Sequence, residues 1–279
     1  MPDTQLSNFE LLLLVLLTSL SCLGLAKLNS SRLFRAAPAC EAPRWTGLSV
    51  LLALAAFLLV PGIIMGILEE NWDTGLYSSE IQLRATSMTG GYLLGGGLIA
   101  YLIWSFVVVS LRQPSATLGL RGASPANFLP VVLVYVLFIV PLGLCAHIWI
   151  ELIEFFGYEP LPQEVVKMFG DAVARGDRLE ISLMVFSAVI LAPLWEELIY
   201  RGFFFGLLKS RWGVFPALVF SSAVFSYSHF SLAAFLPLLI VGMAAGYVYH
   251  RTGSLYFAIF FHALFNGLSM AIQFISAGS

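Results

Sequence analysis

The sequence is poor in charged residues. Aspartate, glutamate, lysine and arginine make up 11% of its 279 residues, whereas hydrophobic residues make up 59%. Soluble domains carry roughly a quarter charged residues, so this composition excludes a soluble domain. Several apolar runs approach or exceed the ~20 residues that a helix needs to cross a bilayer. The sequence therefore predicts an all-α, polytopic bundle of membrane helices.

Cysteine is scarce as well. The three cysteines, Cys22, Cys40 and Cys145, are widely spaced and form no CxxC pair. They give no indication of a disulfide framework or a thiolate metal site. The first residues, MPDTQLSNFE, also lack the basic start of a cleavable signal peptide. We therefore expect the first apolar run to be retained as a membrane span.

Apolar segments along the chain predict about eight membrane spans. The fifth span contains Pro193, and we expect a kink or break near it because proline removes a backbone hydrogen bond. The expected limits of the eight spans are 9–26, 45–68, 89–111, 128–149, 181–208, 214–228, 232–249 and 255–275.

The charges between the spans alternate in sign. The connections 27–44 and 112–127 and the segment around Lys209 are basic, whereas 69–88 and 150–180 are acidic. Lysine and arginine concentrate in cytoplasmic loops. We therefore expect the basic connections in the cytoplasm, and the acidic connections and both termini outside it.

The second acidic connection contains apolar residues at helical spacing over 163–176. This pattern predicts an amphipathic helix at the outer membrane interface. A plain connector helix and a lid or guide for a substrate both fit the pattern.

The stretch WEELIYRG, Trp195–Gly202, places three ionisable residues inside a predicted span. Such residues cost about 2.5–3.5 kcal/mol each at bilayer depth on insertion scales, so they usually face a cavity. Glu197 and Arg201 lie four residues apart and can form an ion pair on one helix face. Glu196 is rotated by about 100° from Glu197 and can face another neighbour. The pattern predicts one neutralised and one cavity-facing carboxylate, with an interhelical clamp as the alternative.

Two later spans carry polar residues at the same spacing. Phe225 and His229 share one helix face, and His262 and Asn266 share another. At ~1.5 Å per residue, Glu196, His229 and Asn266 lie about 17–22 Å from the cytoplasmic helix ends, and His262 about 11 Å. A single buried histidine is more often a packing residue. Two histidines, an asparagine and a glutamate in neighbouring spans instead indicate a site.

These three ordered motifs, EExxxR, FxxxH and HxxxN, resemble those of the CPBP intramembrane protease family. That family includes the type II CAAX prenyl endopeptidases and the Abi proteins linked to bacteriocin processing or self-immunity. The resemblance covers 181–275. It implies two regions: residues 1–180 would hold N-terminal transmembrane helices and an acidic extracytoplasmic connector, and residues 181–279 would form the catalytic core.

The resemblance implies an intramembrane endopeptidase that hydrolyses a peptide bond with glutamate-activated water. It makes Glu196 the general base, and His229 would help to hold the water. His262 and Asn266 would donate hydrogen bonds to the oxyanion that forms on the substrate. The resemblance further implies three supporting residues, Glu197, Arg201 and Phe225.

The expected partners are a membrane-embedded peptide or a lipidated protein as substrate, and the lipid bilayer; no nucleic acid is expected. The expected location is the bacterial inner membrane, with an endomembrane as the alternative. The sequence contains no HExxH motif, and the resemblance favours a mechanism without a metal cofactor. Zinc held by Glu196, His229 and His262 is the alternative, because two histidines and a carboxylate are a common catalytic zinc set.

Two other functions fit the same residues. A scaffold or immunity protein of this fold would bind a partner without cleaving it. A proton-coupled transporter would use the buried glutamate and histidines as a proton relay. Many transporters contain internal repeats with paired broken helices, and the first half of this sequence has no counterpart to the proline-interrupted fifth span.

Overall fold

The computed structural model describes residues 8–30, 34, 42–71 and 80–278. All regular structure in these ranges is helical, which confirms the predicted all-α class. Within them we number nine helices. These are α1 (Asn8–Ser30), α2 (Gly47–Asn71), α3 (Glu80–Gly90, Gly91–Gly96, Gly97–Ser105 and Phe106–Ser110, consecutively), α4 (Phe128–Phe155), α5 (Glu164–Arg175), α6 (Arg178–Phe186, Ser187–Leu191, Ala192–Glu197, Leu198–Phe205 and Gly206–Trp212, consecutively), α7 (Val214–Tyr227), α8 (Leu232–Thr252) and α9 (Leu255–Gly278).

In the described part of the chain, six helices are long and apolar enough to cross a membrane: α2, α3, α4, α6, α8 and α9. Two shorter apolar segments, Leu12–Leu28 of α1 and Val214–Tyr227 of α7, accompany them in the described residues. Every predicted span therefore coincides with an apolar helix, and the count of about eight spans stays approximate. The chain is an integral, multi-pass membrane protein.

Glycines let the helices of the bundle approach one another closely. A Cβ atom added at Gly95 of α3 would lie 2.8 Å from Pro61 Cα of α2. One added at Gly246 of α8 would lie 2.6 Å from Leu218 Cδ2 of α7. Lipid tails are as apolar as leucine, so membrane helices associate through such close packing and through polar contacts.

Helix α3 begins at Glu80, nine residues before the predicted span. The polar segment up to Met88 was expected to be a loop because of its polarity. Instead it is helical: Ala85 and Ser87 are buried, and Gln82 donates a hydrogen bond to Asp177 just before α6. The segment packs against the protein although it is polar, which is why an apolar-span criterion missed it.

Helix α6 passes through Pro193 without a break. The expected interruption instead takes the form of π-helical turns, Ser187–Leu191 before the proline and Leu198–Phe205 after Glu197. Pro193 lies directly after the first π-helical segment, within the short α-helical segment Ala192–Glu197. Such π-helical segments occur frequently at functional sites.

The predicted amphipathic helix is present as α5. Its apolar residues Phe169 and Ala172 are buried, and α5 packs against α6 and α9. Gln273 of α9 donates a hydrogen bond to the Val166 carbonyl. Helix α5 is therefore fixed to the bundle rather than being a free connector.

Candidate active site

The motif on α6 forms a buried ion pair, as the spacing predicted. Arg201 Nη1 and Glu197 Oε1 are 2.9 Å apart, at an angle outside hydrogen-bonding geometry. Their side chains are 1% and 0% exposed. Arg201 Nη2 also donates to the Gly242 carbonyl of α8 at 3.1 Å. The charge of Glu197 is thus compensated inside the protein.

His262 of α9 lies between the two glutamates. Its Nδ1 is 2.9 Å from Glu197 Oε1, and its Nε2 is 4.0 Å from Glu196 Oε2. A carboxylate can only accept hydrogen bonds, so Nδ1 carries the proton that is donated to Glu197. In neutral His262 the Nε2 atom is then a hydrogen-bond acceptor that faces Glu196.

Glu196 has a different environment from its neighbour. Its side chain is 8% exposed, and its Oε2 atom has no hydrogen-bond partner among the residues that the structure describes. A buried polar atom without a partner is costly and calls for a water molecule or a ligand. Glu197 Oε2 also has no hydrogen-bond partner among the described residues, so the difference lies in the ion pair: Glu197 is paired with Arg201 through Oε1, and Glu196 is left to contact something else, as the sequence predicted.

The FxxxH motif begins on α7 at Phe225 and ends in the turn after the helix, where it orients His229. His229 Nδ1 donates to the Phe225 carbonyl at 2.8 Å, because a carbonyl oxygen can only accept. The Nε2 atom of neutral His229 is therefore left as an acceptor. Phe225 is fully buried, and its ring packs against the rings of His229 and His262 and against the Arg201 guanidinium, whose Cζ lies 4.5 Å from the ring centroid.

Asn266 lies one helical turn beyond His262. Its Nδ2 atom donates to the Ala188 carbonyl of α6 at 2.7 Å. This bond ties α9 to the first π-helical segment of α6 and uses one of the two N–H groups of the amide.

A cavity of about 470 Å³ joins these side chains. Glu196, His229, His262 and Asn266 all contribute to its lining. The structure therefore brings together the four residues predicted as catalytic. Glu197, Arg201 and Phe225 contact them from behind and are absent from the residues that line the cavity. The rest of the lining is mainly apolar.

Tyr92 of α3 lines the same cavity and was missed by the sequence analysis. Glu196 lines the same cavity. Tyr92 lies in the π-helical segment Gly91–Gly96, which packs closely on α6: a Cβ atom at Gly96 would lie 2.2 Å from Trp195 Cδ1. The glycine-rich sequence around Tyr92 indicated close packing but did not identify the helix it packs against.

The described residues contain no group of three His, Cys, Asp or Glu side chains arranged to hold a metal ion. His229 and His262 each donate from Nδ1 to a protein acceptor, which leaves Nε2 as the acceptor, an arrangement that metal-binding histidines also use. The alternative zinc set of Glu196, His229 and His262 therefore stays a prediction, and we derive no chemical step through a metal.

Comparisons with known proteins agree with the motifs. Residues 178–268 match the family model described as "Type II CAAX prenyl endopeptidase Rce1-like". This segment contains all seven residues that the sequence analysis selected. No solved structure matches the chain.

Two curated bacterial proteins share part of the sequence. "UPF0177 protein YaiF" of Lactococcus lactis subsp. lactis (strain IL1403) is 45% identical over 80 residues, which are 28% of this chain and 35% of that protein. "Putative membrane peptidase YdiL" of Bacillus subtilis (strain 168) is 30% identical over 93 residues, 33% of this chain and 38% of that protein. The chain thus spans little more than a third of the length of either relative. The resemblance predicted from the three motifs is confirmed for residues 178–268, which match the Rce1-like type II CAAX prenyl endopeptidase family.

Proposed function

We propose that the protein is an intramembrane endopeptidase that hydrolyses a peptide bond with water activated by Glu196. The observation that supports this most is the unpartnered Glu196 carboxylate in a cavity within the membrane bundle, beside a Glu197 that is already neutralised. The family match of residues 178–268 and the relative named as a membrane peptidase support protease activity at the family level.

The nucleophile would be a water molecule held by Glu196 and His229. Both present hydrogen-bond acceptors to the cavity, a carboxylate oxygen and Nε2, and a water molecule has two hydrogens to donate. Glu196 would take one proton as the water oxygen attacks the scissile carbonyl carbon. Proton transfer by a well-placed base contributes typically 10²–10⁴-fold to the rate.

The oxyanion that forms on the carbonyl needs hydrogen-bond donors. The second N–H of the Asn266 amide is available, because the first is bonded to the Ala188 carbonyl. His262 can donate from Nε2 only when that atom carries a proton, since Nδ1 already donates to Glu197. The Tyr92 hydroxyl lines the same cavity, so we assign it as a further oxyanion donor.

Collapse of the tetrahedral intermediate requires a proton on the leaving nitrogen. Glu196 would supply the proton that it took from water, so that the base becomes the acid in the second step. Glu197 would keep His262 in position between the two carboxylates, and Arg201 would compensate the charge of Glu197 throughout.

The lining of the cavity supports an apolar substrate. Val165 and Phe169 of α5, Leu238 of α8 and Phe265 of α9 line a space of about 470 Å³. A membrane-embedded peptide or a lipidated protein would fit this lining. The bacterial relatives support a location in the bacterial inner membrane. The division of the chain into an N-terminal region and a catalytic core at residue 180 stays a prediction.

Substitution of Glu196 by Gln tests the proposal, because glutamine keeps the shape of the side chain but cannot accept a proton in this way. The purified protein in lipid nanodiscs would be incubated with a library of apolar peptides, and the products identified by mass spectrometry. We expect the cleavage rate to fall at least 10²-fold. The matched control is Glu70→Gln, which removes an exposed carboxylate from the end of α2.

Two results would contradict the proposal. Equal cleavage by wild type and the Glu196→Gln variant would show that Glu196 is not the base. Retention of a peptide by the wild type without any cleavage would instead favour the scaffold function.

A further inference from the structure

The cavity lies at one end of the bundle. Helices α3, α6 and α8 contribute lining residues from their N-terminal halves. The last lining residue of α6 is Glu196, near the middle of that helix. Helix α9 lines it from His262 onward, and the remaining wall comes from residues 162–169 in and before α5 and from His229 and Ser231 between α7 and α8. All of these elements therefore contribute the same end of the bundle.

The charged residues of the sequence distinguish the two ends. The cavity end carries the acidic connection 150–180, and α3 follows the acidic segment 69–88. No lysine or arginine is among the described residues that line the cavity. The opposite helix ends and the connections between them carry the basic residues Arg112, Arg121, Lys209, Arg211 and Arg251.

Lysine and arginine concentrate in cytoplasmic loops. The basic end is therefore the cytoplasmic end, and the cavity lies at the other. We propose that the cavity opens on the extracytoplasmic side and that its substrate is a peptide that reaches Glu196 from that side. The sidedness follows from charge and geometry alone, whereas the statement about the substrate rests on the proposed function.

The wall formed by α5 also carries a charge pattern. Arg175 Nη2 lies 2.8 Å from Oε2 of the buried Glu180. The other cations of the connection 150–180 are Lys167 and Arg178, and both are exposed. Exposed carboxylates outnumber them in the same connection: Glu151, Glu154, Glu159, Glu164 and Asp171. Glu164 lies between the lining residues Gln163 and Val165. The preferred substrate accordingly combines an apolar segment with a cationic flank on the extracytoplasmic side.

Cysteine labelling in intact cells tests the sidedness without any need for cleavage. After replacement of the three native cysteines by alanine, single cysteines would be placed at Glu159 and at Gly122. Both positions are exposed, and a Cβ atom at Gly122 meets nothing within 4 Å. We expect a membrane-impermeant maleimide to label Glu159→Cys in intact cells, and Gly122→Cys only after permeabilisation. The reverse pattern, or the same pattern at both positions, would overturn the proposal.

Two synthetic peptides test the preferred charge. They share one apolar segment and differ in a flank of four lysines or four glutamates. For the wild type in nanodiscs at low salt, we expect kcat/KM to favour the lysine peptide by about tenfold, with the preference decreasing as salt is added. Glu164→Gln should lower the preference about twofold, whereas Gly122→Lys, an equal charge change at the opposite end, should leave it unaltered.

The outcomes separate the two proposals. Equal cleavage of both peptides would refute the cationic preference. Failure of the wild type to cleave either peptide, together with outward labelling of Glu159→Cys, would contradict the proposed function and leave the sidedness supported.

Discussion

Replacement of Arg201 by methionine tests whether the buried ion pair stabilises the bundle. Methionine has a similar length and no charge, so the substitution leaves Glu197 without its cation. Both side chains are at most 1% exposed, so water cannot replace the lost partner. Breaking a buried ion pair by removing one partner costs about 3–5 kcal/mol.

Two further contacts of Arg201 are lost in the same substitution. The Gly242 carbonyl loses its donor at 3.1 Å, which costs about 1–3 kcal/mol for a buried group. The contact with the Phe225 ring, with Cζ 4.5 Å from the centroid, contributes up to about 2 kcal/mol when it is buried. These contributions overlap, and His262 still donates to Glu197. We therefore expect a total loss of about 3–5 kcal/mol.

Reversible unfolding in SDS-containing mixed micelles, followed by tryptophan fluorescence, measures this loss. The double variant Glu197→Gln with Arg201→Met removes both charges and should recover most of the lost stability. The exposed Arg178→Met is the control and should change the free energy of unfolding by less than about 0.5 kcal/mol. The reasoning fails if Arg201→Met lies within about 1 kcal/mol of wild type, or if the double variant is as unstable as the sum of the single variants.

Three other outcomes are expected. Tyr92→Phe should lower kcat about 10²–10³-fold with little change in KM. The control Tyr101→Phe removes an exposed hydroxyl from the same helix and should leave kcat unchanged. Equal kcat values for wild type and Tyr92→Phe would show that Tyr92 is no oxyanion donor. Gly96→Ala should lower the free energy of unfolding by about 1–3 kcal/mol, because the added Cβ atom would lie 2.2 Å from the Trp195 ring. Gly97→Ala should be tolerated, because a Cβ atom there would lie 3.9 Å from the nearest atom of the same ring. A strong chelator should leave peptide cleavage unchanged, and loss of activity that is restored by zinc would overturn the metal-free mechanism.

The sequence predicted those site features that depend on spacing within one helix. Glu197 and Arg201 are four residues apart, and their ion pair is present. The rotation of Glu196 away from Glu197 likewise follows from helix geometry, and Glu196 lines the cavity. The roles of these residues in catalysis stay predictions.

Features that depend on contacts between helices could not be predicted in the same way. Tyr92 reaches the cavity because Gly96 lets α3 pack against Trp195, and no periodicity identifies that partner. The polar start of α3 resembled a loop because its partners, such as Asp177, lie about a hundred residues later.

The apolar wall formed by α5 lies outside the segment 178–268 that matches the family. Substitutions at Val165 or Phe169 could therefore reshape the cavity while the residues of the three motifs, on α6, on α9 and at the end of α7, stayed the same. Proteins that share the three motifs can in this way diverge in what they cleave. Likeness in the motif-bearing segment is consequently a guide to the reaction, and the identity of the peptide has to be sought in the part of the chain that the family model does not cover.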